Sequence, residues 1–119
     1  MASIRYFKFN EFESPDIKGS GINMDVGFLQ MLDNARHIAQ IPFEINSGYR
    51  SEKHNKKVGG KKSSSHLSGF ACDISCKDSA TRSKIVVSLA KAGFNRIGIA
   101  ESFIHVDNDP NKKSAIWLY

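Results

Sequence analysis

The chain has 119 residues, of which 40% are apolar and 24% charged, the make-up of one globular domain over 1–119 with a core of its own and not of a fibrous or low-complexity chain. Seventeen Lys and Arg against twelve Asp and Glu leave a formal charge of +5, which favours an anionic partner such as a nucleic acid, a membrane surface or an acidic cell-wall polymer. There is no 18-residue apolar run and no apolar stretch of signal-peptide length near Met1, so no stable membrane insertion is expected and synthesis in the cytoplasm without an export signal is. Zinc-finger spacing, an arginine-rich arm and ribonucleoprotein-type aromatic motifs are missing, so no nucleic acid is expected as partner, and a monomer is.

In chain order, residues 4–12 mix aromatics with charges and end in the turn signal Glu13-Ser14-Pro15-Asp16, which predicts a short strand or an ordered arm laying its phenylalanines on the core. Gly19-Ser20-Gly21 reads as a flexible connector. Phe28, Leu29, Leu32, Ala35, Ile38 and Ala39 then recur at helical spacing, predicting a helix of about four turns that opens at Asn23 or Met24-Asp25 and ends at Pro42, with His37 off its apolar stripe. Phe43 to Asn46 alternates like a half-buried strand and delivers Ser47-Gly48-Tyr49-Arg50-Ser51 to a loop. Residues 52–57 fit one helical turn with a surface His54, and 58–65 are too rich in Gly and Ser for regular structure.

A strand from Phe70 to Cys76 follows. A helix from near Ser79 carries the stripe Ile85, Val86, Leu89 and Ala92 and is capped by Gly93. Ile97-Gly98-Ile99 and Phe103-Ile104-His105-Val106 are two short strands around Ala100-Glu101-Ser102, Asn108 to Asn111 is a turn, and Ala115 to Tyr119 is a last strand. The sum is an α+β domain with a small, mainly antiparallel sheet backed by two helices. Cys72 and Cys76 would lie roughly 13 Å apart along one strand, too far for a disulfide, and read as buried small hydrophobes.

Two stretches carry chemistry. Ser64-Ser65-His66-Leu67-Ser68-Gly69-Phe70-Ala71-Cys72-Asp73 sets an imidazole and a carboxylate seven residues apart in a loop that leads into a strand. Residues two apart on a strand share a face, so His105, Phe103 and Asp107 point one way and Ile104 and Val106 the other. If the strands of Asp73 and His105 are neighbours, His66, Asp73 and His105 form a three-ligand set with an open position, as catalytic zinc uses. Zn²⁺ there would acidify water and polarise a carbonyl, the requirements of amide hydrolysis. Asp107 is favoured as the general base and Glu101 is second, so Asp107→Ala is predicted to keep zinc and lose hydrolysis. Arg50 could bind a substrate carboxylate or an oxyanion with its planar fork. Singly, each histidine is an ordinary structural residue, and a two-His, one-carboxylate iron site using His105, Asp107 and His66 is a second metal reading.

Ser64-x-His66-x-x-Gly69-x-Ala71-x-Asp73 resembles the first signature of the zinc D-alanyl-D-alanine carboxypeptidase family, which includes phage L-alanyl-D-glutamate endopeptidases and is related in fold to the hedgehog signalling domain. Phe103-Ile104-His105-Val106-Asp107 resembles the second signature of its small bacterial and phage branch. Asn10-Glu11-Phe12, Ser47 to Ser51, His54-Asn55, Val58-Gly59-Gly60, Gly98-Ile99 and Trp117 extend the likeness over essentially the whole chain. The resemblance implies a hedgehog/DD-peptidase-like fold, one Zn²⁺ on His66, Asp73 and His105, and Arg50 in contact with substrate. Ser64 and Gly69 would shape the first-ligand loop, Ser64 on the substrate side. It implies peptidoglycan stem peptides as substrate, cut at bonds involving D-amino acids, and action on the cell wall as in phage lysis. Some relatives carry a catalytic histidine two residues before the last ligand, or a glutamate three before it, where this chain has Phe103 and Ser102. A zinc-containing wall-binding or signalling module that lacks the base is the alternative.

Overall fold

Asp25 starts the first long helix, α1 (Val26–Ala39), by accepting a hydrogen bond from the Phe28 amide at 2.9 Å, and Gln40 ends it in the left-handed region at φ 56°. Phe28, Leu29, Leu32 and Ala35 are buried on one face, while Ile38 stays exposed at the helix end. A short helix α2 (Glu52–Lys57) is capped by Ser51, as its single predicted turn requires. The second long helix, α3 (Ser79–Lys91), is capped by Asp78 and buries Ile85 and Leu89. The computed structural model describes residues 4–119 of the expected 1–119 domain.

Five strands make one sheet: β1 (Ile45–Ser47), β2 (Ala71–Ser75), β3 (Arg96–Ile99), β4 (Phe103–Asp107) and β5 (Ala115–Leu118). Their order is β1-β2-β4-β3-β5, with β3 and β5 parallel and every other pair antiparallel. One face is apolar. Cys72, Ile74, Ile97, Ile104 and Val106 share the core with α1 and α3, and each is essentially inaccessible to solvent. Alternation along β2 and β4 therefore sends Asp73, His105 and Asp107 to the opposite face, away from α1 and α3. The α+β architecture, with a mainly antiparallel sheet backed by two long helices, is the predicted one.

Two local expectations differ, and the first segment takes one of its two predicted forms. Residues 4–8 are the ordered arm and not the strand, because the amides of Arg5 and Tyr6 donate to the Asp33 carboxylate of α1 and are not available to a ladder, and Phe7 lies in the core. A 3-10 turn (Phe9–Phe12) follows, and of its phenylalanines Phe12 is buried while Phe9 stays partly exposed. The glycine connector is likewise ordered, as a 3-10 turn (Ser20–Asn23) in which Gly21 is buried beneath the Phe9 carbonyl. The strand expected at 43–46 begins two residues later, because Phe43 is drawn into the core. Cys72 and Cys76 are buried free thiols, and Cys72 is held protonated by burial.

Candidate metal centre

Antiparallel register places Asp73 directly across from His105, so the two side chains leave neighbouring strands side by side. His105 Nδ1 lies 3.0 Å from Asp73 Oδ1. His66 arrives from a 3-10 turn (Ser65–Ser68), and its Nε2 lies 3.4 Å from the same oxygen. The three potential ligand atoms lie within 4.8 Å of one another.

The turn that carries His66 is specified locally. Ser64 Oγ accepts from the His66 amide at 3.3 Å, and Gly69 closes the turn at φ 78°. A side chain at Gly69 would also collide with the Asn23 carbonyl, so both conformation and space demand glycine. The Arg50 amide donates to the His66 carbonyl at 3.0 Å, and the Asp25 amide to that of Gly69 at the same distance.

The outer nitrogen of each histidine is already engaged. His66 Nδ1 is 2.8 Å from the Gly48 carbonyl, and His105 Nε2 is 2.8 Å from Asp107 Oδ2. A carbonyl and a carboxylate can only accept, so these outer nitrogens carry protons; the inner nitrogens face Asp73 Oδ1, and a metal would take their lone pairs in place of the hydrogen bonds to it. Burial opposes the charge on Asp73, but hydrogen bonds from His105 and His66 prevail and hold its carboxyl far below the usual range. Burial also opposes protonation of His105, yet its bonds to Asp107 and Asp73 raise its pKa in the metal-free molecule.

Asp107 is almost wholly buried. Its Oδ1 accepts from Arg96 Nε at 2.7 Å and from the Asp109 amide at 3.2 Å, while Oδ2 faces His105. Burial raises its pKa, but His105 and Arg96 outweigh that and keep it ionised. The carboxylate thus stands behind the His105 ring, with the imidazole between it and the ligand atoms. Glu101 lies exposed in the turn between β3 and β4, outside the cleft, with its carbonyl bound by Arg82 of α3. Arg50 is beside the ligands: Nη2 is 3.5 Å from Asp73 Oδ2, and Ser47 and Asn55 hold Nε and Nη1. Ser64 lines the same cleft. His37 is on the surface, bonded to Tyr6, and His54 is in α2 away from the cluster.

The cleft over these residues has a volume of about 560 Å³. Lys61, Arg96 and Lys112 bring positive charge to it, and Phe103, Trp117 and Tyr119 give it an aromatic wall. Arg96 was not legible as a site residue from spacing alone. The signal was in the hairpin register, which pairs Arg96 with Asp107 once β3 and β4 are joined by a short turn.

Two imidazoles and a carboxylate with converging ligand atoms, fixed outer nitrogens and an open cleft fit a divalent ion that takes nitrogen and oxygen ligands. A family profile described as peptidase M15 matches residues 5–107 and so contains the whole cluster. The chain belongs to the peptidase M15 family. Peptidase M15 proteins are zinc-dependent and of D-alanyl-D-alanine carboxypeptidase type, and this membership agrees with the resemblance carried by the two signatures. No curated protein matches the chain significantly. No helix among the described residues is long and apolar enough to cross a membrane.

Proposed function

We propose that this M15 peptidase is a zinc enzyme that hydrolyses peptidoglycan stem peptides at a bond involving a D-amino acid, as a carboxypeptidase or an endopeptidase of the wall. The observation that carries the reading is the convergence of His66 Nε2, Asp73 Oδ1 and His105 Nδ1 at the base of a cationic cleft. Zinc held by these atoms would polarise the scissile carbonyl and acidify water at neutral pH. Arg50, fixed by Ser47, Asn55 and Asp73, presents guanidinium N–H groups to the oxygen that gains charge or to a substrate carboxylate. Lys61 and Lys112 add attraction for the carboxylates of stem peptides, and the wall formed by Phe103, Trp117 and Tyr119 gives their apolar parts a surface. Ser64 acts through the turn it caps and through its place on the cleft wall.

In this reading Asp107 orients His105 and does not take the proton from water. Its two oxygens are engaged by His105 and Arg96, and the depressed pKa makes it a weak base. Asp107→Ala is accordingly expected to weaken zinc binding as well as activity.

One observation favours a second reading, a zinc-containing wall-binding module. Among the described residues, the cleft is lined by no carboxylate besides Asp73 and Asp107, and both are occupied. Incubating purified protein with peptidoglycan, with and without a chelator, and analysing released fragments by mass spectrometry separates the two. Chelator-sensitive release of peptides or D-alanine is the outcome expected of the enzyme. Zinc-dependent retention on the wall with no release from any wall type would leave the binding module.

A further inference from the structure

We propose that Arg96 is a positioning residue of this metal centre, through which the C-terminal strand β5 sets the orientation of His105. The inference rests on the zinc reading above. On the side away from Asp73, the Nε2 of His105 is held by Asp107, whose Oδ2 accepts its hydrogen bond at 2.8 Å. Asp107 is in turn aimed by Arg96, whose Nε meets Oδ1 at 2.7 Å from the directly paired position on β3. With one oxygen assigned to each partner, the carboxylate cannot rotate without losing one of two charge-assisted contacts, and the imidazole plane is fixed with it.

Arg96 is itself held from β5 and the segment before it. Its Nη1 donates to the Lys113 carbonyl at 2.5 Å, and its guanidinium lies 5.0 Å from the centre of the Trp117 ring. Trp117 sits opposite Gly98 in the parallel β3–β5 pairing, where an added Cβ would lie 2.7 Å from the indole. Only glycine lets the ring lie across β3, against Arg96 and 5.5 Å from the His105 ring. The contacts run β5, Arg96, Asp107, His105. Whatever docks β5 therefore favours the metal-ready imidazole, and a bound metal favours docked β5 by the same factor.

The test uses zinc affinity, measured by competition with a chromophoric chelator, and hydrogen exchange of the β5 amides with and without zinc. Arg96→Ala is expected to weaken zinc binding about 10- to 100-fold, the usual effect of losing an outer-shell partner. Arg96→Lys should recover part of that loss. Arg82→Ala, which removes the same charge from α3 outside the cleft, should stay within about twofold of the wild type. Zinc should slow exchange at the Ala115 and Tyr119 amides, which donate to the Asn95 and Ile99 carbonyls, in the wild type and have little effect on them in Arg96→Ala. A purely structural arginine would change β5 exchange equally with and without zinc and would leave the affinity alone.

Wild-type affinity in Arg96→Ala, or β5 exchange that ignores zinc in the wild type, overturns the inference and leaves the zinc reading standing. A wild-type protein that takes up no zinc overturns both. If Arg96→Ala does not fold, Arg96→Lys and Trp117→Leu carry the test: several-fold weaker zinc binding in each supports the inference, and unchanged binding overturns it.

Discussion

Asp73 and His105 stand on paired strands whose other faces fill the core, whereas His66 and Arg50 come from a turn and a loop tied down by individual hydrogen bonds. To move Asp73 relative to His105 the β2–β4 ladder would have to slip, and a slip of one residue would expose Ile74, Ile104 and Val106 and bury the acids. His66 can shift once a few contacts give way: Gly48 to its ring, Arg50 to its carbonyl, and Ser65 Oγ to Asp109 at 2.8 Å. The strand half is pre-organised by the same burial that stabilises the fold. The turn half is adjustable, as expected of the side that must admit a substrate.

The sharpest way to break this contrast is to remove the shared oxygen. Asp73→Ala should lower zinc affinity several-hundredfold, on the order of 3–4 kcal/mol if a structural zinc site's binding energy is divided among its ligands. Calorimetric titration reads it directly, and near-wild-type affinity would show that Asp73 is no ligand. A smaller effect, aimed at the turn half, comes from Gly69→Ala. The left-handed conformation and the Asn23 carbonyl together should cost about 2 kcal/mol of stability in urea unfolding, with weaker zinc binding through a displaced His66. A Gly69→Ala protein as stable as the wild type would mean that the turn is not held as described.

A gentler probe is pH. The raised pKa of His105 stabilises the metal-free fold below its ordinary value of 6.5, and that contribution is lost as pH rises through the raised value. Asp73 and Asp107, both depressed, contribute above the ordinary 3.8 and lose their contribution as pH falls through their lowered values. Thermal unfolding of the metal-free protein should therefore be most resistant between those ordinary values and weaken on both sides. Zinc affinity should rise from about pH 6 to 8, since His105 Nδ1 must give up its proton to bind metal. A metal-free protein that gains stability over that interval would contradict the assigned contacts. The smallest effect is expected at Glu101→Gln, which should leave stability within about 0.5 kcal/mol and activity unchanged. A large loss of activity there would return Glu101 to the reaction.

The strand half was largely legible beforehand, because period-two alternation assigns faces without any knowledge of neighbours, and Ile104-His105-Val106-Asp107 alternates cleanly. The two long helices were legible for the same reason, from apolar residues at helical spacing and from Asp25 and Gly93 at their ends. Legibility fails where a contact joins distant positions by a single side chain. Nothing local to Arg5 and Tyr6 indicates that Asp33 will take their amides, and nothing near Asp107 indicates that Arg96 will hold it. Spacing placed Asp107 within reach of the metal and so suggested a base. The side-chain direction that sets it behind the imidazole appears only in three dimensions.

Trp117 has an optical consequence. It is the chain's one tryptophan, and its ring packs 5.5 Å from His105 with a guanidinium over it. Selectively excited indole emission therefore comes from beside His105 and the candidate metal site, with no background from elsewhere in the molecule. Arrival of a cation, loss of the His105 proton or a peptide settling against the indole should each change its intensity or colour. The protein carries a built-in fluorescent gauge of its own cleft, readable in stopped flow without any label.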